Sequence, residues 1–128
     1  MSELTPDELA LLQSVFGLVR AGDAGAVAAH LDSGVPVNLT NSQGDTLLIL
    51  AAYHRHAAVV RALLGRGADT GRVNDRGQTA LAAAVFRQDR PIVEALLQAG
   101  ADPHHGERSA VSVADFFDLP EMRALLQP

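Results

Sequence analysis

The segment AAYHRHAAVV, residues 51–60, contains two closely spaced histidines, which are candidates for a metal-binding or proton-transfer site. His54 and His56 flank Arg55, and two imidazoles so placed could ligate a metal ion or transfer a proton. Zinc sites use three or four protein ligands, however, and no nearby carboxylate recurs with this pair. A metal-binding or enzymatic protein that uses His54 and His56 is therefore the alternative function that the sequence allows.

The other candidates for catalysis are isolated in the sequence. His104 and His105 lie in a turn-rich segment and are interpreted as a solvated loop tip, whereas His30 replaces a leucine on an apolar face. No serine, histidine or carboxylate recurs with the neighbours that would activate it, and no glycine-rich phosphate loop is present. Cysteine is absent, which excludes thiolate chemistry. The leading interpretation has no catalytic residue, no metal ligand and no cofactor.

Length and charge limit the remaining classes of protein. The 128 residues suffice for one domain, residues 1–128. All ten basic residues are arginines, they oppose fifteen acids for a net charge of −5, and none are clustered, which argues against nucleic acid as a partner. No apolar stretch approaches the ~20 residues of a membrane span, and the acidic N-terminus is unlike a secretory signal. We expect a cytoplasmic protein that is a monomer on its own.

The chain repeats itself with a fixed period, the step from residue 44 to residue 77. Residues 44–69 and 77–102 align without a gap, and 11 of their 26 paired positions are identical. Partial copies precede and follow them, and the offset to the last copy is slightly shorter. Degenerate end copies are typical of a stacked array, because terminal units need a polar outer face.

Each copy has the local chemistry of a helix, a turn and a second helix. Thr46 and Thr79 are predicted N-caps of alanine-rich helices, and an apolar stripe marks the second helix of each copy. Glycines 34, 67 and 100 are placed to end the second helices in a left-handed conformation. Thr5 begins a capping box, whereas either Ser109 or Ser112 could start the last copy.

The shared pattern G-x-T-x-L-x-x-A, followed by V-V-x-x-L-L-x-x-G-A-D, resembles the ankyrin repeat. The resemblance covers nearly the whole chain, although the proline and histidine that the family has after the threonine are missing. It implies an all-α fold, an α-solenoid of ankyrin repeats with two full central repeats flanked by degenerate N- and C-terminal capping repeats. The approximate units are 6–38, 39–71, 72–104 and 105–128.

This register gives His54, Arg55 and His56 a structural interpretation. They correspond to Arg87, Gln88 and Asp89 in the next copy, at the polar turn between the two helices. The family often has a histidine at the position of His56. A turn is therefore preferred over a metal site.

A stacked array leaves a concave face, lined by the first helices and the projecting loops, which we call fingers. The side chains expected on this face suggest that the protein is a protein-binding module, which could also regulate the partner that it binds. The predicted concave-face residues are Tyr53, His54, Phe86, Arg87, Phe116 and Phe117, and the predicted finger residues are Gln43, Asp45, Asp75, Arg76 and Gln78. Aromatic and arginine side chains often anchor interfaces, but the rings could equally fill gaps between alanine-rich helices. The acidic net charge favours a basic or neutral partner.

Overall fold

The computed structural model describes residues 4–127, which form eight α-helices joined by turns and loops. The helices are α1 (Pro6–Ala21), α2 (Ala24–Asp32), α3 (Leu47–Tyr53), α4 (Ala57–Leu64), α5 (Ala80–Phe86), α6 (Arg90–Gln98), α7 (Ala110–Phe116) and α8 (Pro120–Leu125). The only β-structure in this part of the chain consists of two isolated bridges, Thr40 with Thr46 and Gln78 with Arg108. The predicted all-α class is confirmed.

Consecutive helices pack as four hairpins, and the hairpins stack side by side. The inner helices α1, α3, α5 and α7 contact one another in that order, and the outer helices α2, α4, α6 and α8 do the same. This arrangement confirms the solenoid. The unit boundaries stay a prediction, and residues 1–3 and 128 of the predicted domain lie outside the described residues. None of the described helices is long and apolar enough to cross a membrane.

Hydroxyl caps start the inner helices where the sequence predicts them. The hydroxyl oxygens of Thr46 and Thr79 each accept the backbone N–H three residues later, at 3.1 Å. The hydroxyl of Ser109 accepts the backbone N–H of Ser112 at 3.2 Å, so Ser109 caps α7 and the choice between the two serines is settled. Thr5 forms the predicted capping box at α1. Each cap contributes on the order of 1 kcal/mol.

Each turn between the two helices of a hairpin contains one residue in the left-handed conformation. His54 ends α3 and His56 precedes α4, which confirms that His54, Arg55 and His56 form a turn. The residues with positive φ in the four turns are Gly22 (82°), Arg55 (64°), Gln88 (54°) and Asp118 (52°). Glycine takes this conformation without steric cost, so the other three turns are held by the packing of the helices around them.

The core is a continuous seam between the inner and outer helices. Val60, Leu63, Val93 and Leu96 on the outer helices are fully buried, as the apolar stripe predicts. Inner-helix alanines are also buried, and their small side chains let adjacent hairpins approach closely. His30 occupies the position of the buried leucines in the first unit and is only partly buried, in agreement with its place at the edge of the array.

The fingers, residues 38–45, 71–78 and 104–108, are joined to one another by backbone hydrogen bonds. The N–H of Asp75 donates to the carbonyl oxygen of Gln43 at 3.1 Å, and the N–H of Arg108 donates to that of Gly77 at 3.1 Å. Successive fingers are therefore held side by side, and they face the ends of the inner helices.

Candidate functional site

Four aromatic rings form one connected cluster at the ends of the inner helices. We call this cluster the aromatic column; its members are Tyr53, Phe86, Phe116 and Phe117, which are 43%, 44%, 82% and 50% exposed. Tyr53 and Phe86 lie 6.4 Å apart and nearly parallel, Phe86 meets Phe117 edge to face at 5.4 Å, and Phe117 meets Phe116 at 4.9 Å. The rings therefore lie at the surface, in contact with one another, and do not fill the core.

Arg87 holds the first ring of the aromatic column in place. Its Nη1 donates to the carbonyl oxygen of Tyr53 at 2.9 Å, and its guanidinium carbon lies 5.2 Å from the centre of the Tyr53 ring. A cation over an aromatic face at this distance is attractive by about 0.5–1 kcal/mol at an exposed site. Arg87 thus positions Tyr53 and is not itself part of the groove wall.

The aromatic column forms one wall of a groove of about 760 Å³ that runs between the inner helices and the fingers. Ile49, Leu50, Ala83 and Val113 provide its apolar surface. The remaining groove residues are the four rings of the aromatic column with Arg20, Asn41, Gln43, Asp45, His54, Asn74, Arg76, Gln78, Arg108 and Ser112. An apolar surface with a few polar groups is the usual make-up of a binding site.

The fingers contribute some of the predicted residues and not others. Gln43, Arg76 and Gln78 line the groove, as expected for a polar rim. Asp75 does not line the groove; its carboxylate lies beside Gly44 on the neighbouring finger. Asp75 is exposed, and its contact with a partner stays a prediction.

Asp45 also lines the groove, but it is buried and is not an exposed rim residue. Only 5% of it is exposed, and its Oδ1 accepts a hydrogen bond from Nδ2 of Asn74 at 2.9 Å. The same amide group donates to Oε1 of Gln78 at 3.2 Å. Burying a carboxylate is costly unless it is hydrogen-bonded, so Asn74 compensates Asp45 and ties two fingers together.

Sequence reasoning missed Asn41 and Asn74, which shape the fingers. The side-chain oxygen of Asn41 accepts hydrogen bonds from the backbone N–H groups of Gln43 and Asp45, each at 3.0 Å. The side-chain oxygen of Asn74 accepts hydrogen bonds from the backbone N–H groups of Arg76 and Gln78 in the same way. The two asparagines occupy equivalent positions in successive copies of the repeat, each three before a glycine. This repeated spacing was the signal that could have identified them.

Two arginines of the groove were also missed. Arg20 lies one repeat period before Tyr53, so extending the register to the first unit would have placed it in line with the aromatic column. Arg108 follows Gln78 by the shortened offset of the last unit, and the two residues form a bridge. The period of the repeat was therefore sufficient to find both.

His54 lies in the groove beside Tyr53, with the ring centres 5.3 Å apart. Burial is the largest cause that lowers the pKa of His54 below its usual value. The positive charges of His56, Arg20 and Arg87 lower this pKa further. The neutral imidazole is thus favoured at this position.

His56 is engaged in a contact between units. Its Nε2 donates to the carbonyl oxygen of Arg20, 2.8 Å away, and its ring packs against Gly22, where an added Cβ would come within 2.6 Å of Nδ1. Residues 4–127 contain no group of three or more histidine or acidic side chains that could hold a metal ion. The geometry gives no support to the alternative that His54 and His56 form a metal or catalytic site.

Comparison with known proteins agrees with this architecture. A family model described as ankyrin repeats, in three copies, matches residues 16–106. A curated ankyrin repeat protein of Pseudomonas aeruginosa is 41% identical over 59 residues, which cover 46% of this chain and 34% of that protein. The aligned part is thus about a third of the length of this relative. The chain belongs to the ankyrin repeat family.

Proposed function

We propose that this chain is a protein-binding module that recognises a partner protein through the groove. Ankyrin repeats are generally protein–protein interaction modules, and the family is generally non-enzymatic. The observation that carries the proposal is the aromatic column, four touching rings that are each at least 43% exposed on one wall of one groove. Exposed rings gathered in this way mark an interaction surface more often than a bare solvent face.

Burial of these rings would supply much of the binding free energy. An aromatic side chain buries about 150–250 Å², so covering its exposed half removes roughly 100 Å² of apolar surface from water. At about 25 cal/mol per Å², each ring contributes about 2.5 kcal/mol. The guanidinium of Arg87 packs over the Tyr53 ring and restrains it, so less conformational entropy is lost on binding.

The polar groups of the groove would then set the orientation of the partner. Gln43, Arg76 and Gln78 face the groove from the fingers, opposite the apolar surface of the inner helices. Hydrogen bonds at such a rim add specificity more than affinity. A module of this kind would act as an adaptor or as a regulator of the partner, and we propose no catalytic step.

The test compares two exposed apolar residues of similar accessibility. Phe86 is 44% exposed in the groove, and Leu11 on α1 is 42% exposed outside it. We expect wild type and Leu11→Ala to capture the same protein from a lysate of the source cells, and Phe86→Ala to bind that purified protein at least about 30-fold more weakly. Circular dichroism and urea unfolding would show that both variants fold.

Equal binding by Phe86→Ala and wild type would contradict the proposal, since the groove would then not be the site of recognition. Loss of folding in Phe86→Ala would contradict it as well, because the ring would then be part of the core.

A further inference from the structure

Three of the ten arginines line the groove, and among the residues described they lack the ion pairs that five of the other seven form. Within residues 4–127, five arginines form ion pairs with carboxylates, and none of those ten paired residues lines the groove. The three arginines that line the groove, Arg20, Arg76 and Arg108, are exposed and form no ion pair in the described part of the chain. Each guanidinium offers five N–H donors, which here are open to a ligand.

Carboxylates of the protein do not neutralise the groove. Asp45 is the only acidic residue among the described residues that line it, and its carboxylate is buried and hydrogen-bonded to Asn74. Asp75 and Glu107 on the fingers lie beside Gly44 and Gly77 and do not line the groove. The groove therefore carries positive charge, although the whole chain has a net charge of −5.

The three positive charges lie on three different elements of the array. Arg20 is in the last turn of α1, the first inner helix, whereas Arg76 and Arg108 are on the second and third fingers. Packed helices are about 8–10 Å apart, so the four inner helices span roughly 27 Å. An extended peptide rises about 3.3 Å per residue and would cover this length with about eight residues.

From this charge complementarity we propose that the groove binds an acidic segment of its partner protein, about eight residues long, with at least one large apolar side chain between carboxylates. The apolar side chain packs on the aromatic column, and the carboxylates pair with Arg20, Arg76 and Arg108. This inference rests on the proposed function of the groove and specifies the partner's chemistry.

The rings favour a peptide over a single-stranded nucleic acid. Phe86, Phe116 and Phe117 pack edge to face, at 66° and 79°, and one face of Tyr53 is covered by Arg87. Bases need open, separate aromatic faces on which to stack. Three arginines are also too few to bind a polyphosphate backbone tightly, since the net charge of −5 repels such a ligand at long range.

The experiment uses an array of random-sequence peptides of about eight residues, probed with the full chain, together with an oligouridylate as the nucleic acid probe. The groove variant carries Arg20→Gln, Arg76→Gln and Arg108→Gln. The matched control carries Arg61→Gln, Arg72→Gln and Arg90→Gln, which remove the same charge from exposed positions outside the groove. Fluorescence anisotropy with the best peptides then gives dissociation constants at low and high salt.

We expect the retained peptides to be rich in Asp and Glu and to contain an aromatic or large aliphatic residue. The groove variant should bind them about tenfold more weakly, since three exposed ion pairs are lost, and the control should match wild type. Raising the salt concentration should weaken binding by wild type more than by the groove variant.

Three results would overturn the inference. Retained peptides that are neutral or basic, and that are lost with Phe86→Ala, would remove the acidic ligand but leave the groove as the binding surface. Acidic peptides that bind Phe86→Ala as tightly as wild type would contradict the proposed function as well. Tighter binding of the oligouridylate, dependent on the three groove arginines, would assign the groove to nucleic acid.

Discussion

Arginines inside and outside the groove differ in their partners: five of the seven outside it form ion pairs with carboxylates, and the three inside it form none in the described part of the chain. Outside the groove, arginines such as Arg66 and Arg90 lie 2.9–3.2 Å from carboxylate oxygens of Asp32 and Glu94, so the charges are neutralised locally. In the groove the arginines have no such partners in residues 4–127. A net charge of −5 therefore describes the whole molecule and not the groove. The expectation of a basic or neutral partner came from the net charge, and the groove points the other way.

The same contrast applies to apolar side chains. Leu96 on the outer helix α6 is completely buried, whereas Phe86, at the end of the inner helix of the same hairpin, is 44% exposed. In this hairpin the outer helix thus stabilises the fold, and the end of the inner helix presents a ring to the solvent. The three predictions that follow test this difference between the groove and the rest of the molecule.

The largest effect is expected for the core. Leu96→Ala should lower the free energy of unfolding by about 2–5 kcal/mol, because it removes a buried side chain and leaves a cavity. Phe86→Ala should cost less, at most about 2.5 kcal/mol, since nearly half of the ring is already in water and no closed cavity is left behind. Urea unfolding followed by circular dichroism measures both values. Equal losses would mean that the ring is as much a part of the core as the leucine.

An intermediate effect is expected at the fingers. Asn74→Ala should destabilise the protein by about 1–3 kcal/mol, because the buried carboxylate of Asp45 loses its hydrogen-bond donor. Asn41→Ala is the matched control: Asn41 caps its own finger in the same way, but its side chain has no bond to a buried carboxylate among the described residues. It should cost less, as measured by urea unfolding. If Asn41→Ala lowered the free energy of unfolding as much as Asn74→Ala, the stabilisation would come from the turn of the finger and not from the bond to the Asp45 carboxylate.

The smallest effect is expected for the pH dependence that arises from His54. The folded protein binds a proton at His54 at lower pH than the unfolded chain, whose pKa is near 6.5. Between the two pKa values the unfolded state holds the extra proton, so stability falls as the pH drops below 6.5 and this effect is absent at higher pH. Urea midpoints at about pH 7.5 and about pH 5.5 should therefore differ less for His54→Gln than for wild type. An equal decrease in both proteins would assign the dependence to other groups.

Much of the fold followed from local chemistry. The threonine caps, the glycines that end the outer helices and the turn at His54, Arg55 and His56 each depend on neighbouring residues, so a single copy of the repeat contains enough information. The repeat period also placed the rings of Tyr53 and Phe86 in one column, because equal register means an equal position on the stack.

The register of the repeat was not enough to predict the groove. Whether the rings lie in the core or at the surface, and whether Asp45 is exposed, depend on contacts between residues about one repeat apart, such as Asn74 with Asp45. The sequence places Asp45 and Asp75 on fingers with similar turn residues, yet one carboxylate is buried under a neighbouring asparagine and the other is exposed. Prediction from the sequence could not distinguish them.

The repeat, its helices and their order could be read from the sequence, because helix caps, apolar stripes and turns are set by residues close together in the chain. Which charges have partners and which rings remain in water depends on the tertiary structure. Those properties come from the stacking of one unit on the next, and pairs such as Arg55 with Asp89 and Arg87 with Tyr53 meet across 34 residues of sequence. The identity of the groove as a positively charged, aromatic surface is a consequence of that stacking.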